Sequence, residues 1–417
     1  MQIANATGQS QPEVSAIMNG REVKAHSVLL RIARGLHIPP GYMRLGSCTI
    51  CHDDAPDDSP HPEEDDPMFR RQFLAAAGAI AAGGVAIDGV QRLLPDPAHS
   101  IQAVPDRVGA TEVAQIRATT AQLRALDYQY GYGTTLDAAR GFAGWAHRLL
   151  GARHSEFTAR DLRIALADLH VLIAWSFHDG GRPTGARRHH LQALVLAREA
   201  HEPALAGTIL TDMAQVSVDN GDPRDAIRMA GFGLLATEYD DIPPAVRAGL
   251  YLEDAYARAH LADEHGVLDA LSRATDDLAR TDPAAVPTWG SAAYFLNSGA
   301  RAGFRSQIYQ KLARTPTLRR YAETAIKDAE TALTPDDGRR ALTGRLLTRV
   351  SLATGLLRSG ARDAGVAAAN DILDKAATLR STRARARLTD ISDAARPYTG
   401  NPDADDLRSH IATLTAA

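Results

Sequence analysis

Cysteine is almost absent: two residues in 417. That excludes a disulfide-stapled scaffold, which needs several pairs to replace a weak core. Aromatic residues make up only 5% of the chain, and nowhere does strict apolar–polar alternation persist long enough to specify a half-buried strand. Both scarcities argue against a sheet-rich fold. No secretory segment opens the chain, and no apolar run is long and bulky enough to cross a membrane, so the expected compartment is the cytoplasm. Catalytic signatures are also missing. There is no phosphate-cradling glycine loop, no HExxH and no nucleophile motif, so the reading is that the chain is not an enzyme and carries no cofactor.

What is present is Ala, Leu and Arg in abundance, an apolar content of 45%, and a length that calls for more than one packed unit. The formal net charge of −4 hides an uneven distribution. Residues 1–46 hold five Lys/Arg against two acids, a local balance of +3, whereas the stretch from Asp53 to Asp66 holds eight acids and no base. The first suits a phosphate-facing module and the second a solvated linker.

Within the basic head, Ser10 followed by Glu13 reads as a capping box, with Pro12 in the first turn, so a helix of roughly two turns is predicted from Gln11 to the Asn19-Gly20 stop. A tight turn at Gly8 and the preceding QIANA complete a helix-turn-helix. On the second helix Val14 and Ile17 face inward, leaving Gln11, Ser15 and Ala16 as candidates to contact base edges. Gln11 is the strongest of these, since its amide can pair bidentately with adenine. Ser10, Arg21 and Lys24 are the candidate phosphate contacts, which position without specifying sequence.

The run QIANATGQSQPEVSAIMNGREVKAHSVLLRIARGLHIP resembles the helix-turn-helix of phage-repressor-like regulators of the xenobiotic-response-element (XRE) family. The likeness covers about a tenth of the chain and includes Gly8, Ser10, Val14, Ile17 and Asn19-Gly20. It implies an operator in double-stranded DNA and a homodimer. Family members carry a further helix before this point. Its lack here leads us to expect a start assigned too far downstream, the other reading being a remnant head.

Three segments downstream of the head invite function. CTICH, Cys48 to His52, has c-type haem spacing and with His61 could form a partial zinc site; in an unexported acidic linker these read as incidental residues, with a redox or metal role left open. FRRQFLAAAGAIAAGG looks like a twin-arginine export signal but starts near residue 70, so an internal helix or hinge is expected, and the same segment links head and body in actinobacterial regulators of that family. LDYQYGYGTTLD gathers Tyr128, Tyr130 and Tyr132 beside glycines, which reads first as junction packing and second as a ligand surface.

From about residue 110 helix-length amphipathic stretches alternate with breaks such as HDGGRPTG, NGDPR, YDDIPP, TDPAAVP and TPDDG. GDPRDAIRMA, HGVLDALSRA and SGARDAGVAA share Asp-Ala followed by a further Ala, at spacings of 44 and 94 that are not multiples of a tetratricopeptide period. The expected fold is all-α: a small N-terminal helix-turn-helix with its first helix apparently missing (1–46), an acidic then Ala/Gly-rich linker (47–109), and a tetratricopeptide-like α-solenoid of helix pairs (110–417). A groove in that array would take a peptide, protein or small molecule. The run from Arg301 to Arg320, with six Lys/Arg and no acid, makes Arg301 and Arg305 candidate ligand residues with the three tyrosines. RRHHLQ, Arg187 to Gln192, reads as a solvated helix face. The functional expectation is a DNA-binding regulator with a sensing, dimerising body; the alternative is a helical scaffold that does not bind DNA.

Overall fold

A computed structural model describes residues 10–18, 67–82, 93–95, 103–130, 135–238, 242–287, 293–334, 342–378 and 381–416. Among these residues the fold is all-α, with no β-strand; one isolated bridge joins Arg107 to Arg153. The chain divides into two units, residues 1–64 and 65–417.

In the first unit one helix is described, α1 (Gln11–Met18). It begins where the cap predicts, though the cap works differently in detail. The Ser10 backbone N–H donates to Glu13 at 2.9 Å, and the Ser10 hydroxyl also donates to the Glu13 carboxylate, at 2.7 Å. Gly8, Arg21, Lys24, Cys48, Cys51, His52 and His61 lie outside the described residues.

The second unit opens with α2 (Pro67–Ala81), followed by α3 (Ala110–Tyr130) and α4 (Leu136–Leu149). Six helix pairs then follow: α5 (Glu156–Asp179) with α6 (Pro183–Glu199), α7 (Pro203–Asp219) with α8 (Pro223–Ala236), α9 (Pro244–His260) with α10 (Glu264–Ala279), α11 (Ser298–Leu312) with α12 (Tyr321–Leu333), α13 (Leu342–Ser359) with α14 (Arg362–Thr378), and α15 (Thr382–Ala395) with α16 (Pro402–Ala416). Each helix packs on its partner, and consecutive pairs pack on one another. The breaks HDGGRPTG, NGDPR and TDPAAVP fall at junctions between consecutive helices; parts of YDDIPP and TPDDG lie outside the described residues.

A recurring turn makes five of the six pairs and also links α6 to α7. A residue with positive φ ends one helix, the next residue is the N-cap, and the one after it opens the following helix. Gly181 (φ 70°), Gly221 (83°), Gly360 (101°) and Gly400 (92°) supply that conformation at no steric cost, and His201 and Ala262 adopt it as well. Proline at the first helical position of α6, α7, α8 and α16 fits because no partner is lost there. Fixed caps complete other starts: Ser155 accepts from the Thr158 N–H at 3.1 Å, and Ser381 from that of Ala384 at 3.1 Å.

This turn sets the true repeat register. The residue five positions past it is buried in five of the six cases, Ala186, Ala206, Ala226, Val267 and Gly365; after Gly400 it is the half-buried Asp405. Asp-Ala is therefore an imperfect guide. Ala226, Ala230, Ala270 and Ala274 are buried, but Ala364 is exposed, because its Asp-Ala sits one step out of register with that of α8.

The internal helix expected near residue 70 is α2, and it is docked: Phe69, Phe73, Ala76, Ala77 and Ile80 are buried against α6 and α8. Phe232 lies over Gly78, where a Cβ would come within 2.8 Å of the ring. Arg70 pairs with Asp222 at 2.7 Å and with Asp225. RRHHLQ, in turn, is not a solvated face, since Arg187, His189 and His190 are all buried. The helix carrying them lies between α5, α7 and α2, so it is covered on three sides.

Two large hydrophobic cores result, one running through α2 to α12 and one through α13 to α16, with a smaller cluster of Ala204, Ile242, Ala245, Val246 and Val286 beside them. The array curls, so α15 returns to α5: Thr382 sits against Gly181, where a Cβ would meet its side chain at 2.9 Å. No described helix is long and apolar enough to cross a membrane.

Candidate functional site

Gln11 and Ser15 are exposed, one helical turn apart on the same face of α1, while Val14 and Ala16 are half-buried. Of the three candidate base-contacting residues, Gln11 and Ser15 are open to solvent and Ala16 is partly covered. Ser10 is exposed at the helix start, next to the backbone N–H groups that a helix N-terminus leaves unbonded.

In the second unit, polar and charged side chains collect where α15 meets α5, α7 and α9. Asp219, 3% exposed at its side chain, accepts a hydrogen bond from His178 Nε2 at 3.0 Å, pairs with Arg387, and lies 3.7 Å from Arg383. Burial alone would raise its pKa, but Arg387, His178 and Arg383 more than reverse this and hold it well below the usual carboxylate range. Arg383 Nε donates to Asp179 at 2.8 Å and its guanidinium lies 5.2 Å from the Trp175 ring centre. Arg387 also bonds the Tyr256 hydroxyl and lies over that ring at 5.5 Å. Deeper in, Lys311 donates to both oxygens of Asp390, at 2.9 and 2.7 Å; burial pulls its pKa down to about 8 against the pull of Asp390. These contacts span 41 to 204 residues of chain, so local periodicity carries no signal for them. The one visible hint is their side-chain type: Asp179, Asp219, Arg383 and Arg387 occupy helix positions where apolar residues would continue the buried stripe.

Glu253 of α9 is set into the same wall. It is 1% exposed, and its Oε2 makes no hydrogen bond. Burial, with Asp219 and Asp212 nearby, pushes its pKa well above the carboxylate range despite Arg383 and Arg387. Asp127 of α3, against the same region, is raised to about 6, first by burial and then by Asp179.

The tyrosine expectation lands at the edge of this wall. Tyr128 and Tyr130 are exposed by 46% and 56%, so neither packs into the junction core; Tyr132 lies outside the described residues. Tyr128 is within electrostatic range of Arg124, Tyr294 and Asp212. Arg124 is held by Asp168 at 2.8 and 3.3 Å. Arg301 and Arg305 serve internal contacts. Arg301 Nη1 donates to the Phe295 and Leu296 carbonyls at 2.8 and 3.0 Å, fixing the turn that carries Tyr294, and Arg305 reaches Asp328 at 3.3 Å. Elsewhere in that basic run, Arg314 and Arg320 reach Asp393 and Glu264.

A second cluster is a chain of imidazoles. His147 Nε2 lies 2.7 Å from His170 Nε2, and His170 Nδ1 lies 2.8 Å from His189 Nδ1, the latter ring stacked on Phe177. Each contact needs one donor and one acceptor, which neutral rings provide. Burial lowers all three pKa values, His147 to about 4 and His189 to about 3. No group of three or more His, Cys, Asp or Glu among the described residues is arranged to hold a metal ion.

No protein-family model matches the chain, and no curated protein matches it.

Proposed function

We propose that the protein is a DNA-binding transcriptional regulator, in which α1 enters the major groove and the tetratricopeptide-like body dimerises and responds to a ligand without catalysing a reaction. The observation that carries this reading is α1 itself. A helix starting at a fixed cap presents Gln11 and Ser15 outward from its first turns, with Val14 turned away from them, which is how a recognition helix meets base edges. The basic balance of residues 1–46 supports it, because phosphate attraction supplies most of the non-specific affinity. The inner wall supports a sensing body: buried charged groups not required by helix packing are costly to keep. A ligand acts in this scheme only by favouring one placement of the two heads over another.

The second reading, an interaction scaffold, draws on the division of the chain at residue 64, since residues 65–417 form a compact unit of their own. Fluorescence anisotropy on DNA from the protein's own promoter region, against a scrambled duplex at two salt concentrations, separates the two. Preference for the promoter duplex supports the regulator; equal binding to both, or none, leaves the scaffold.

A further inference from the structure

The last two helix pairs leave a cleft unfilled. α14 and α16 are the second helices of those pairs, and both start from the recurring turn, at Gly360 and Gly400. The cleft they enclose measures about 400 Å³. α14 lines it with Asp363, Val366, Ala367 and Asn370, and α16 lines it with Asp403, Asp406, Leu407 and His410. Each set has i, i+3, i+4, i+7 spacing, so each is one face of its helix over two turns, about 10 Å of length. The two sets occupy corresponding positions past the turn glycine of their own pair.

This cleft has an apolar floor and an acidic rim. Val366 and Leu407 belong to the second hydrophobic core and form its bottom, and Ala367 is exposed, with a methyl group too small to fill the space beside it. Asp363, Asp403, Asp406, Asn370 and His410 are all exposed, so the rim is open to solvent. No Lys or Arg lines the cleft. Of the nearby cations, Arg362 bonds Asp363 at 2.7 Å, whereas Arg408 is turned to Thr399 and Asp405, at 3.3 and 3.7 Å. One base against three lining carboxylates leaves the rim negative. These carboxylates do not form a metal-binding group; set along two turns of two helices, they match several cationic groups carried on one chain. Apolar contact on the floor and charged hydrogen bonds at the rim together are what a basic amphipathic segment supplies.

From this geometry we propose that the cleft between α14 and α16 docks a short segment of a protein partner, with one or two apolar side chains seated on Val366 and Leu407. Lys or Arg residues flanking them at helical spacing pair with Asp363, Asp403 and Asp406. Charge complementarity selects this occupant: nucleic acid and anionic membrane surfaces are repelled by the rim, and a purely apolar segment leaves the carboxylates without a role. Docking here goes beyond the sensing role proposed above and does not rest on it, because it is measured without DNA and holds for a regulator and a scaffold alike.

The experiment is fluorescence anisotropy of the full chain with a labelled amphipathic peptide of Leu and Lys at helical spacing. Two control peptides keep its length, one with Leu replaced by Ser at unchanged charge and one with Lys replaced by Glu. The expected result is saturable binding of the first peptide, at least about tenfold tighter than either control. Ala367→Phe fills the cleft and Asp406→Lys reverses part of its rim; both change exposed residues, so both should fold, as checked by circular dichroism. Each should weaken the peptide by about tenfold or more, since like charges or a blocked floor oppose docking. Asp276→Lys makes the same charge change at an exposed position of α10 outside the cleft and should leave the affinity unchanged. Absence of saturable binding, equal binding of the Ser peptide, unchanged affinity in either cleft variant, or an equal loss in Asp276→Lys would overturn the proposal. Free spermidine binding as tightly as the peptide, which would assign the cleft to a small cation, or self-association abolished by Ala367→Phe, which would assign it to a second copy, would overturn it as well.

Discussion

His190 offers a clean test of how the second unit is built. The ring is fully buried, neither nitrogen has a hydrogen-bond partner, and burial, followed by the charge on His178, lowers its pKa from 6.5 to about 3. Because the folded-state pKa lies below the unfolded one, the sign is fixed. Above pH 6.5 both states hold a neutral ring and the group has no pH-linked effect. Below 6.5 the unfolded chain takes up a proton and the native protein does not, so stability falls until the pH nears 3. At pH 5, 1.5 units below the unfolded value, the loss is about 2 kcal/mol at 1.36 kcal/mol per unit. His190→Leu has nearly the same volume and no titratable group. Urea unfolding of wild type and variant at pH 7 and pH 5 should give a wild-type loss about 2 kcal/mol larger than the variant's, with every other titrating group cancelling in the difference. Equal losses in the two proteins would refute a buried, neutral His190.

Two further perturbations probe the packing. Asp219→Ala removes the shared partner of His178, Arg383 and Arg387. Breaking a buried charge network of this kind costs roughly 3–5 kcal/mol, so urea unfolding should show that loss, and a loss under about 1 kcal/mol, the size of an exposed pair, would mean the cluster is solvated. Ala226→Phe and Ala270→Phe each place a ring where 0% and 2% of the present residue is exposed; overpacking should cost about 1–3 kcal/mol apiece, whereas Ala364→Phe, on the exposed side of α14, should be close to neutral in the same assay.

The helical architecture was legible because its cues are local. Caps, proline at first helical positions and glycine at helix ends gave the pair boundaries, and Ser10 with Glu13 gave the start of α1 to the residue. What escaped the sequence depends on tertiary contact. RRHHLQ is polar in composition and reads as solvated, but α6 is covered on three sides and His189 is held by His170 across the interface with α5. The Asp-Ala pattern misled because the turn, not the dipeptide, sets the register. Arg70, which suggested an export signal, is an ion-pair donor to Asp222 and Asp225. Arg301 stands out in the sequence as part of a basic run; that it holds the Phe295 and Leu296 carbonyls follows only from the fold.

The central claim, that α1 reads DNA sequence, rests on Gln11. Binding of wild type, Gln11→Ala, Arg21→Ala and Lys24→Ala to promoter and scrambled duplexes at two salt concentrations tests it most directly. The account predicts that Gln11→Ala costs roughly 1–3 kcal/mol on the promoter duplex alone, while the Arg21 and Lys24 variants weaken binding to both duplexes alike and lower the salt slope by about one. Equal affinity of wild type and Gln11→Ala for the promoter duplex would contradict the claim.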